Sequence, residues 1–401
     1  MTTFYLFIFG NFIMKKSVLA VAIAAAAFAA SAASAAQVYD KDGTTLAVGG
    51  QVEFMAGNAG NSYFSNGSQD ATTRDRARVN LAGRTQLTNG IAAYGFMEWE
   101  ANHAGTSEEA QAINSRFAFL GVDFGKFGKV QVGRYVDPFE YASNLVDVLD
   151  EVGVYGGQDE RNSGHISYMW SGYGFDAGIS YQMAEDTYKS DIFSNKNDAV
   201  TGKGAFDVDS GFSIYAGYTS PVVLFGPISI RAAYLALNGQ EKDDGANSTT
   251  VNFMGNSFTG NQIDKLKSVD GALAWGTNGK GFYVATNYNY TKADDNDADT
   301  NFKVKAWESV ATYGFANGIR LGASYHYIKG ETEGLAKDVE GKSKYVQLIA
   351  DYNVTPNFKV WAEGLIDAGS NDYCSRILSA TDDPKNSDSH NSIMFGARYV
   401  F

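Results

Sequence analysis

Hydrophobic and polar residues alternate one by one along most of the chain. Over residues 44 to 56, Val52 and Phe54 fall on one side while Gln51 and Glu53 fall on the other. A period of two places successive side chains on opposite faces of a β-strand. The pattern therefore predicts strands with one apolar and one polar face, and it indicates an all-β fold.

Short turns and long polar connections alternate between these predicted strands. The short turns fall at residues 88–90, 125–128, 171–174, 220–227, 277–280, 315–318 and 355–357. The long connections fall at about 57–73, 104–111, 137–161, 184–208, 239–264, 291–300, 330–340 and 369–390. Seven turns alternating with eight loops require sixteen strands. In a transmembrane barrel, the short turns lie at one end of the strands and the long loops at the other. A soluble β-sandwich has no reason to separate its connections in this way.

The hydropathy of the chain is consistent with a barrel. Apolar and polar residues alternate in barrel strands, so their average hydropathy is low. Beyond the N-terminal segment no apolar run approaches the ~18 residues of a membrane helix, and the mean hydropathy is −0.23. Near residue 360, Lys359 and Glu363 share one strand face. Charge on an inward face implies a wet lumen, which at sixteen strands is an aqueous channel. The sequence thus predicts a 16-stranded antiparallel transmembrane β-barrel.

The N-terminus has the layout of a secretory signal. Met14 and two lysines precede an Ala-rich run that ends in Ala33-Ser34-Ala35, an A-x-A cleavage site. We therefore expect residues 1–35 to be a signal peptide with its true start at Met14, export through the Sec pathway, and one barrel domain over residues 36–401. The single cysteine, Cys374, excludes an intrachain disulfide.

Charge and chemistry exclude several function classes. A formal charge of −13 argues against nucleic-acid binding. The four histidines are scattered without metal-ligand spacing, and no G-x-S-x-G or P-loop pattern occurs. We therefore expect no enzymatic activity, no cofactor and no metal site.

The connection over residues 137–161 is unusually apolar for a loop. In helical spacing its apolar and acidic residues separate onto two sides, with Leu145, Val148, Leu149 and Val152 on one and Asp147, Asp150 and Glu151 on the other. We expect one or two amphipathic helical turns that press the apolar side onto the barrel and show the carboxylates to water.

Five segments in order carry a resemblance to a known family. They are AQVYDKDGTTLAVGG from residue 36, RARVNLAGRTQL from residue 76, NSRFAFLGVDFGKFGKVQVGR from residue 114, Val154–Gly157 and the terminal FGARYVF. In this order the chain resembles the general, non-specific diffusion porins of Gram-negative outer membranes. The resemblance implies an integral outer-membrane homotrimer in which each barrel folds its third loop, here about residues 137–161, into the pore.

The resemblance also implies residues for the pore constriction. Arg78, Arg116 and Arg161 match the arginines on the wall opposite the third loop, and Asp150 matches a constriction acid, with Asp147 and Glu151 beside it. Two family positions differ, since Val154 replaces a glutamate and Gln51 a lysine.

Assembly residues are implied in the same way. Glu108 matches a latch into the neighbouring subunit, with Arg134 and Arg161 as its partners. Tyr399 and Phe401 form the terminal signal that the barrel assembly machinery recognises. The expected surroundings are outer-membrane lipid and lipopolysaccharide.

The expected function is a water-filled channel for passive diffusion of ions and small hydrophilic solutes, with weak cation selectivity. Two alternatives stay open at this point. A substrate-selective channel would need a dedicated binding loop or aromatic track, and the 24 tyrosines do not decide this because interfacial girdles also use them. A surface adhesin or receptor would place the main role on the long loops.

Overall fold

The structure is a computed structural model that describes most of the chain after residue 34. The described residues are 35–57, 72–104, 113–150, 154–155, 161–190, 192, 204–240, 249–253, 256–261, 263–295, 299–334, 339–368 and 391–401. Residues 1–34 of the predicted signal peptide, Glu108, Glu151 and Cys374 lie outside them.

Twenty strands are present among the described residues. The first ten are β1 Ala36–Lys41, β2 Thr44–Gly57, β3 Thr72–Thr88, β4 Ile91–Ala104, β5 Asn114–Asp123, β6 Lys129–Val136, β7 Arg161–Gly172, β8 Phe175–Gln182, β9 Glu185–Ser190 and β10 Gly204–Val223. The others are β11 Gly226–Gly239, β12 Thr249–Phe253, β13 Asn256–Asn261, β14 Lys265–Thr277, β15 Lys280–Asp295, β16 Thr300–Gly314, β17 Ile319–Glu333, β18 Glu340–Thr355, β19 Phe358–Asp367 and β20 Ser392–Val400.

Sixteen of these strands close an antiparallel barrel, which confirms the predicted fold class. Consecutive barrel strands pair in chain order, and β20 pairs with β2 to close the sheet. β1 and β9 add short pairings to β2 and β10. All seven predicted turns join the strand pairs expected of them. At the first, Gly90 has a φ of 85°, which favours glycine.

The two faces of each strand differ as the alternation predicts. In β2, Val52 is 53% exposed on the outer face, whereas Glu53 is 0% exposed on the inner face. In β20, Phe395 and Tyr399 lie outside and Arg398 lies inside, where it binds Glu53. Apolar side chains thus meet lipid and charged ones line the lumen.

The connection between β11 and β14 contains structure that the sequence did not predict. There β12 and β13 pair as a separate hairpin. Its buried Phe253 packs edge-on against Phe302 of β16, with ring centroids 5.2 Å apart. Since Phe302 lies on the inner face of β16, this long loop also folds onto the inner wall.

The third long loop, between β6 and β7, departs from its predicted helical turns. Two 3₁₀ turns occur earlier, at Pro138–Tyr141 and Ser143–Leu145, and residues 146–150 continue without regular structure. The first turn begins where the Asp137 side chain accepts a hydrogen bond from the Phe139 amide. No described helix is long and apolar enough to cross a membrane.

Candidate pore constriction

The third loop enters the barrel at Asp137, which is buried against the inner wall. Its carboxylate accepts hydrogen bonds from Ser180 of β8 and Ser213 of β10, both at 2.5 Å. His165 of β7 lies 3.7 Å away. Beside it, a Cβ at Gly178 would collide with the Met169 side chain and would lie 3.0 Å from the Pro138 ring, so glycine leaves room for both on the wall.

Wall side chains then bind the loop backbone at four successive points. The contacts are Arg231 to the Tyr141 carbonyl at 2.7 Å, Tyr283 to the Leu145 carbonyl at 2.5 Å, Arg320 to the Val148 carbonyl at 2.6 Å, and the Tyr155 amide to Glu308 at 3.0 and 3.1 Å. These wall residues come from β11, β15, β17 and β16. Backbone groups outside regular structure thereby obtain partners from the wall.

The apolar side of the loop packs on the wall as well. Leu145, Val146 and Val154 are buried in one cluster with wall residues of β14, β15 and β16, and Val148 and Leu149 pack against its edge. Burying apolar surface stabilises by about 25 cal/mol per Å² removed from water. The predicted apolar side is therefore the face that holds the loop inside the barrel.

Asp150 differs from its predicted place in water, because its side chain is only 4% exposed. It binds Lys359 of β19, and the same carboxylate oxygen accepts a hydrogen bond from Arg398 of β20 at 3.1 Å. Its second oxygen lies 3.6 Å from Arg320 of β17. These cations are a different set from the arginines that the family resemblance implied.

Asp150 is buried at this point of the wall for an electrostatic reason. Lys359 and Arg398 are direct cross-strand partners, and like charges directly opposite one another destabilise a sheet. Asp150 compensates both. Burial alone raises the pKa of the Asp150 carboxyl, but Lys359, Arg398 and Arg320 outweigh burial and leave the pKa below its usual value. Its contribution to loop docking is thus complete above about pH 4 and is lost as the pH falls through that lowered pKa.

Asp147 and Asp150 share a polar cavity of about 400 Å³ with Arg320 and Lys359. The cavity lies between the loop and the short turns that follow β14 and β16, since Gly279 and Gly318 also line it. The structure thus brings two of the three predicted acids together with wall bases.

The predicted wall arginines lie on a different part of the barrel, and two of them bind wall carboxylates. Arg78 binds Glu100, its direct neighbour on β4. Arg116 donates to Glu98 at 2.8 Å and to Glu100 at 3.1 Å. Arg161 lies over the Phe117 ring at 5.6 Å. Arg116 lies within electrostatic reach of both Arg78 and Arg161, and Arg78 and Arg116 form one cluster with the glutamates.

Sequence spacing did not reveal a hydrogen-bonded chain around His326. Its Nδ1 lies 2.6 Å from Glu308 and its Nε2 lies 2.7 Å from Ser324. Ser324 donates in turn to Gln347 at 3.1 Å. The imidazole is 2% exposed and stacks on the Tyr345 ring at 4.3 Å. Because Glu308 also holds the Tyr155 amide, this chain orients a loop anchor. The alternation places these residues on inner faces, but only the strand register shows that they meet.

The chain terminus lies at the seam of the barrel. The Phe401 amide donates to the Gly50 carbonyl at 3.0 Å, and the Gly50 amide donates to a Phe401 oxygen at 2.9 Å. Its ring covers Gly50, where a Cβ would lie 2.6 Å from the ring. Tyr399 stacks on Phe401 at 6.2 Å. Of the predicted latch partners, Arg134 donates to the Ser115 carbonyl at 3.1 Å.

Comparisons with known proteins agree with this architecture. The family model described as Gram-negative porin matches residues 20–366. Outer membrane protein F of Serratia marcescens is 27% identical over 388 residues, covering 92% of this chain and 97% of that protein. Outer membrane porin C of Rahnella aquatilis is 25% identical over 355 residues, covering 82% of this chain and 92% of that protein.

Two solved structures share the fold. One is Salmonella typhi OmpF in complex with daunomycin, with a TM-score of 0.65 and 18% identity, covering 91% of this chain and all of that one. The other is in-vitro folded OmpT of Vibrio cholerae in its trimer form, with a TM-score of 0.60 and 17% identity, covering 90% and 100%. The chain belongs to the Gram-negative porin family and is an integral β-barrel protein of the outer membrane.

Proposed function

We propose that the channel lets ions and small hydrophilic solutes diffuse passively through the barrel, past the third loop. The observation that carries this proposal is the attachment of that loop to the inner wall from β8 to β20. A sixteen-stranded barrel is wide enough for an aqueous channel, and a loop fixed on one side narrows it without filling it. The charged side chains on the inner faces support a water-filled path.

We further propose weak cation selectivity. In the described constriction, acids and bases nearly balance, as Asp150 and Asp351 lie beside Arg320 and Lys359. Two unit charges ~8 Å apart interact by about 0.5 kcal/mol in bulk water and about 2 kcal/mol at an effective dielectric constant of 20. Such energies bias ions without blocking solutes. The chain's formal charge of −13 favours cations in the vestibules.

The first test is single-channel recording of the purified protein in a planar bilayer with a KCl gradient. We expect a conductance that rises in proportion to salt, with a small zero-current potential of the sign for cation preference. The proposal would be contradicted by a conductance that reaches a plateau at low salt concentration, or by a zero-current potential of the sign for anion preference.

A second candidate function, a substrate-selective channel, is favoured by one feature. A cavity of about 260 Å³ lies between Tyr141 of the loop and Tyr94 of β4, with Arg84 and Lys129 at its edge. The aromatic rings and Lys129, beside an Arg84 that binds Asp123 at 3.1 Å, suit a small aromatic carboxylate. Saturable block of the KCl current by benzoate would favour this candidate, whereas an unaffected current supports passive diffusion.

We propose a homotrimer that is surrounded by outer-membrane lipid and lipopolysaccharide and built by the barrel assembly machinery. The trimer form of the Vibrio cholerae protein supports the oligomeric state. The predicted latch gives a test. Replacing Glu108 by Ala should lower the temperature at which trimers dissociate on a gel, since a charge-assisted contact contributes about 1.5–3 kcal/mol.

The adjacent Glu109→Ala is the matched control, because it removes the same charge one residue away. We expect it to leave the dissociation temperature unchanged. If both variants behave alike, Glu108 is not the latch.

A further inference from the structure

Four apolar side chains form a row on the inner wall near the long-loop end of the barrel. They are direct cross-strand partners on β11, β14, β15 and β16, in the order Leu237, Leu266, Ala293 and Phe302. We call them the apolar row, and each is at most 1% exposed. Phe302 shares the inner face of β16 with Glu308, which binds the third loop. Apolar side chains that face a wet lumen are unfavourable, so this row requires an element that covers it.

The β12–β13 hairpin provides that cover. The ring of Phe253, on β12, is buried against Phe302. Phe253 and Ile263, from the same connection, belong to one buried cluster with all four residues of the apolar row. Although this connection joins β11 to β14, Phe253 reaches β16, which is two strands further along the wall. Because neighbouring strands are about 4.8 Å apart, the hairpin leans about 10 Å sideways across the inner side of the sheet.

The two stems of the hairpin connection are fixed to each other and to the barrel by main-chain hydrogen bonds. The Gly239 amide donates to the Asp264 carbonyl at 2.7 Å, and the Asp264 amide donates to the Asp294 carbonyl at 2.8 Å. A Cβ at Gly239 would collide with the Ile263 carbonyl, so glycine permits this close approach of the stems. The fixed stems and the buried Phe253 ring together hold the hairpin in its inward position.

The hairpin and the third loop lie on the same side of the barrel at different heights. The third loop packs on Ala272 of β14 and Val310 of β16, whereas the apolar row crosses the same two strands at Leu266 and Phe302. Since a strand rises about 3.3 Å per residue, the row lies roughly 20–26 Å along the strands toward the long-loop end. A solute that enters from that end therefore passes the hairpin first and the third loop second.

The hairpin occupies a large part of the channel width at its own height. Sixteen strands at a spacing of about 4.8 Å and a tilt of about 40° give a barrel about 30 Å across between backbones. A layer that packs on a sheet stands about 10 Å away from it. The remaining passage lies on the other side of the lumen, along β3 to β5, which are opposite β14 to β16 in the ring of strands.

We propose that the β12–β13 hairpin is a second constriction, in series with the third loop, and that it sets the largest solute that the channel admits. Phe253 and the apolar row hold the hairpin in place. The proposal rests on the passive diffusion proposed above, and it deepens that function by assigning the size limit to a second element. Residues 249–261 include no Asp, Glu, Lys or Arg, so the hairpin acts on solute size and leaves ion charge to the third loop and the wall.

The test compares the entry of uncharged sugars, from a monosaccharide to a tetrasaccharide, into vesicles that contain the purified full-length protein. One variant replaces residues 249–261 by Gly-Ser-Gly, and the other is Phe253→Ser. The matched control is Phe127→Ser, which removes the same side chain from an exposed position in a short turn. We expect both variants to admit the tetrasaccharide several-fold faster relative to the monosaccharide, and the control to keep the wild-type ratio.

Assembly and ion selectivity are measured on the same proteins. Heat-modifiable trimers on a gel report assembly, and Phe253→Ser decides the question if the replacement of residues 249–261 does not assemble. The zero-current potential in a KCl gradient should equal that of the wild type in every variant, because none of them changes a charge. An unchanged sugar ratio in the assembled variants, or an equal change in the control, would overturn the second constriction.

Failure of the proposed function has a different signature. If the wild type admits none of the sugars, passive diffusion of hydrophilic solutes is contradicted, whatever the hairpin does. The KCl conductance then tests the hairpin by itself, since removing residues 249–261 should still raise the current. A conductance equal to that of the wild type would overturn the second constriction in that case as well.

Discussion

Deletion of Phe401 is expected to leave the protein in the periplasm rather than as heat-modifiable trimers in the outer membrane. The deletion removes both main-chain hydrogen bonds between Phe401 and Gly50 and uncovers the seam between β20 and β2. Each bond contributes about 0.5–1.5 kcal/mol, and an unpaired backbone group in lipid costs on the order of several kcal/mol. The measurement is cell fractionation followed by gels of heated and unheated samples.

Phe401→Ala separates barrel closure from recognition of the terminal ring. This variant keeps the two main-chain hydrogen bonds and loses only the ring that covers Gly50. We expect it to assemble in reduced amount and to form trimers that dissociate at a lower temperature. Normal trimer yield from the deletion would show that the last residue is not needed at the seam.

Replacing Asp150 by Asn is expected to have the largest effect on the channel itself. The loop would lose the charge that compensates Lys359 and Arg398, and breaking a buried ion pair by removing one partner costs roughly 3–5 kcal/mol. The pore also becomes more positive by one charge. We expect the zero-current potential in a KCl gradient to shift toward anions and the open-channel current to become noisier.

Asp147→Asn is the matched control because it makes the same charge change on the same loop. We expect it to shift the potential in the same direction with a quiet current. Adding Lys359→Met to Asp150→Asn should recover part of the stability and the selectivity, and the double-mutant cycle gives the coupling energy. Equal noise in the two single variants would show that Asp150 does not anchor the loop. An unchanged potential in both would place the loop acids outside the ion path.

The fold could be predicted from the sequence because each strand has one face toward lipid and one toward the lumen, and its residues alternate accordingly. Val52 and Glu53 are adjacent in the chain yet meet lipid and lumen respectively. Asn89-Gly90 similarly fixes a hairpin from two residues alone. Such local patterns were sufficient for the strand count, the turns and the closure at β20.

The contacts within the constriction could not be predicted from the sequence, because they join residues that are distant along the chain. The approximate helical period predicted a turn over Leu145 to Val152. Wall side chains instead bind the Leu145 and Val148 carbonyls and favour an irregular path over residues 146–150. The acidic residues of the third loop were expected to face water. Asp150 is instead buried, since Lys359 and Arg398 meet only once β19 and β20 have paired. His326 and Glu308 likewise become neighbours only through the register of β16 and β17.

The attachment of the third loop has a consequence for the order of folding. Its anchors come from strands made much later in the chain, since Tyr155 binds Glu308 across 153 residues, Val148 binds Arg320 across 172, and Asp150 binds Arg398 across 248. Contacts of such long range form late, after the intervening chain has been ordered. The loop can contact β8 and β10 earlier, but its docking at Asp150 cannot be completed until β20 is in place. A partly built barrel therefore lacks part of its constriction, and the channel acquires its final width as the last step of its own assembly.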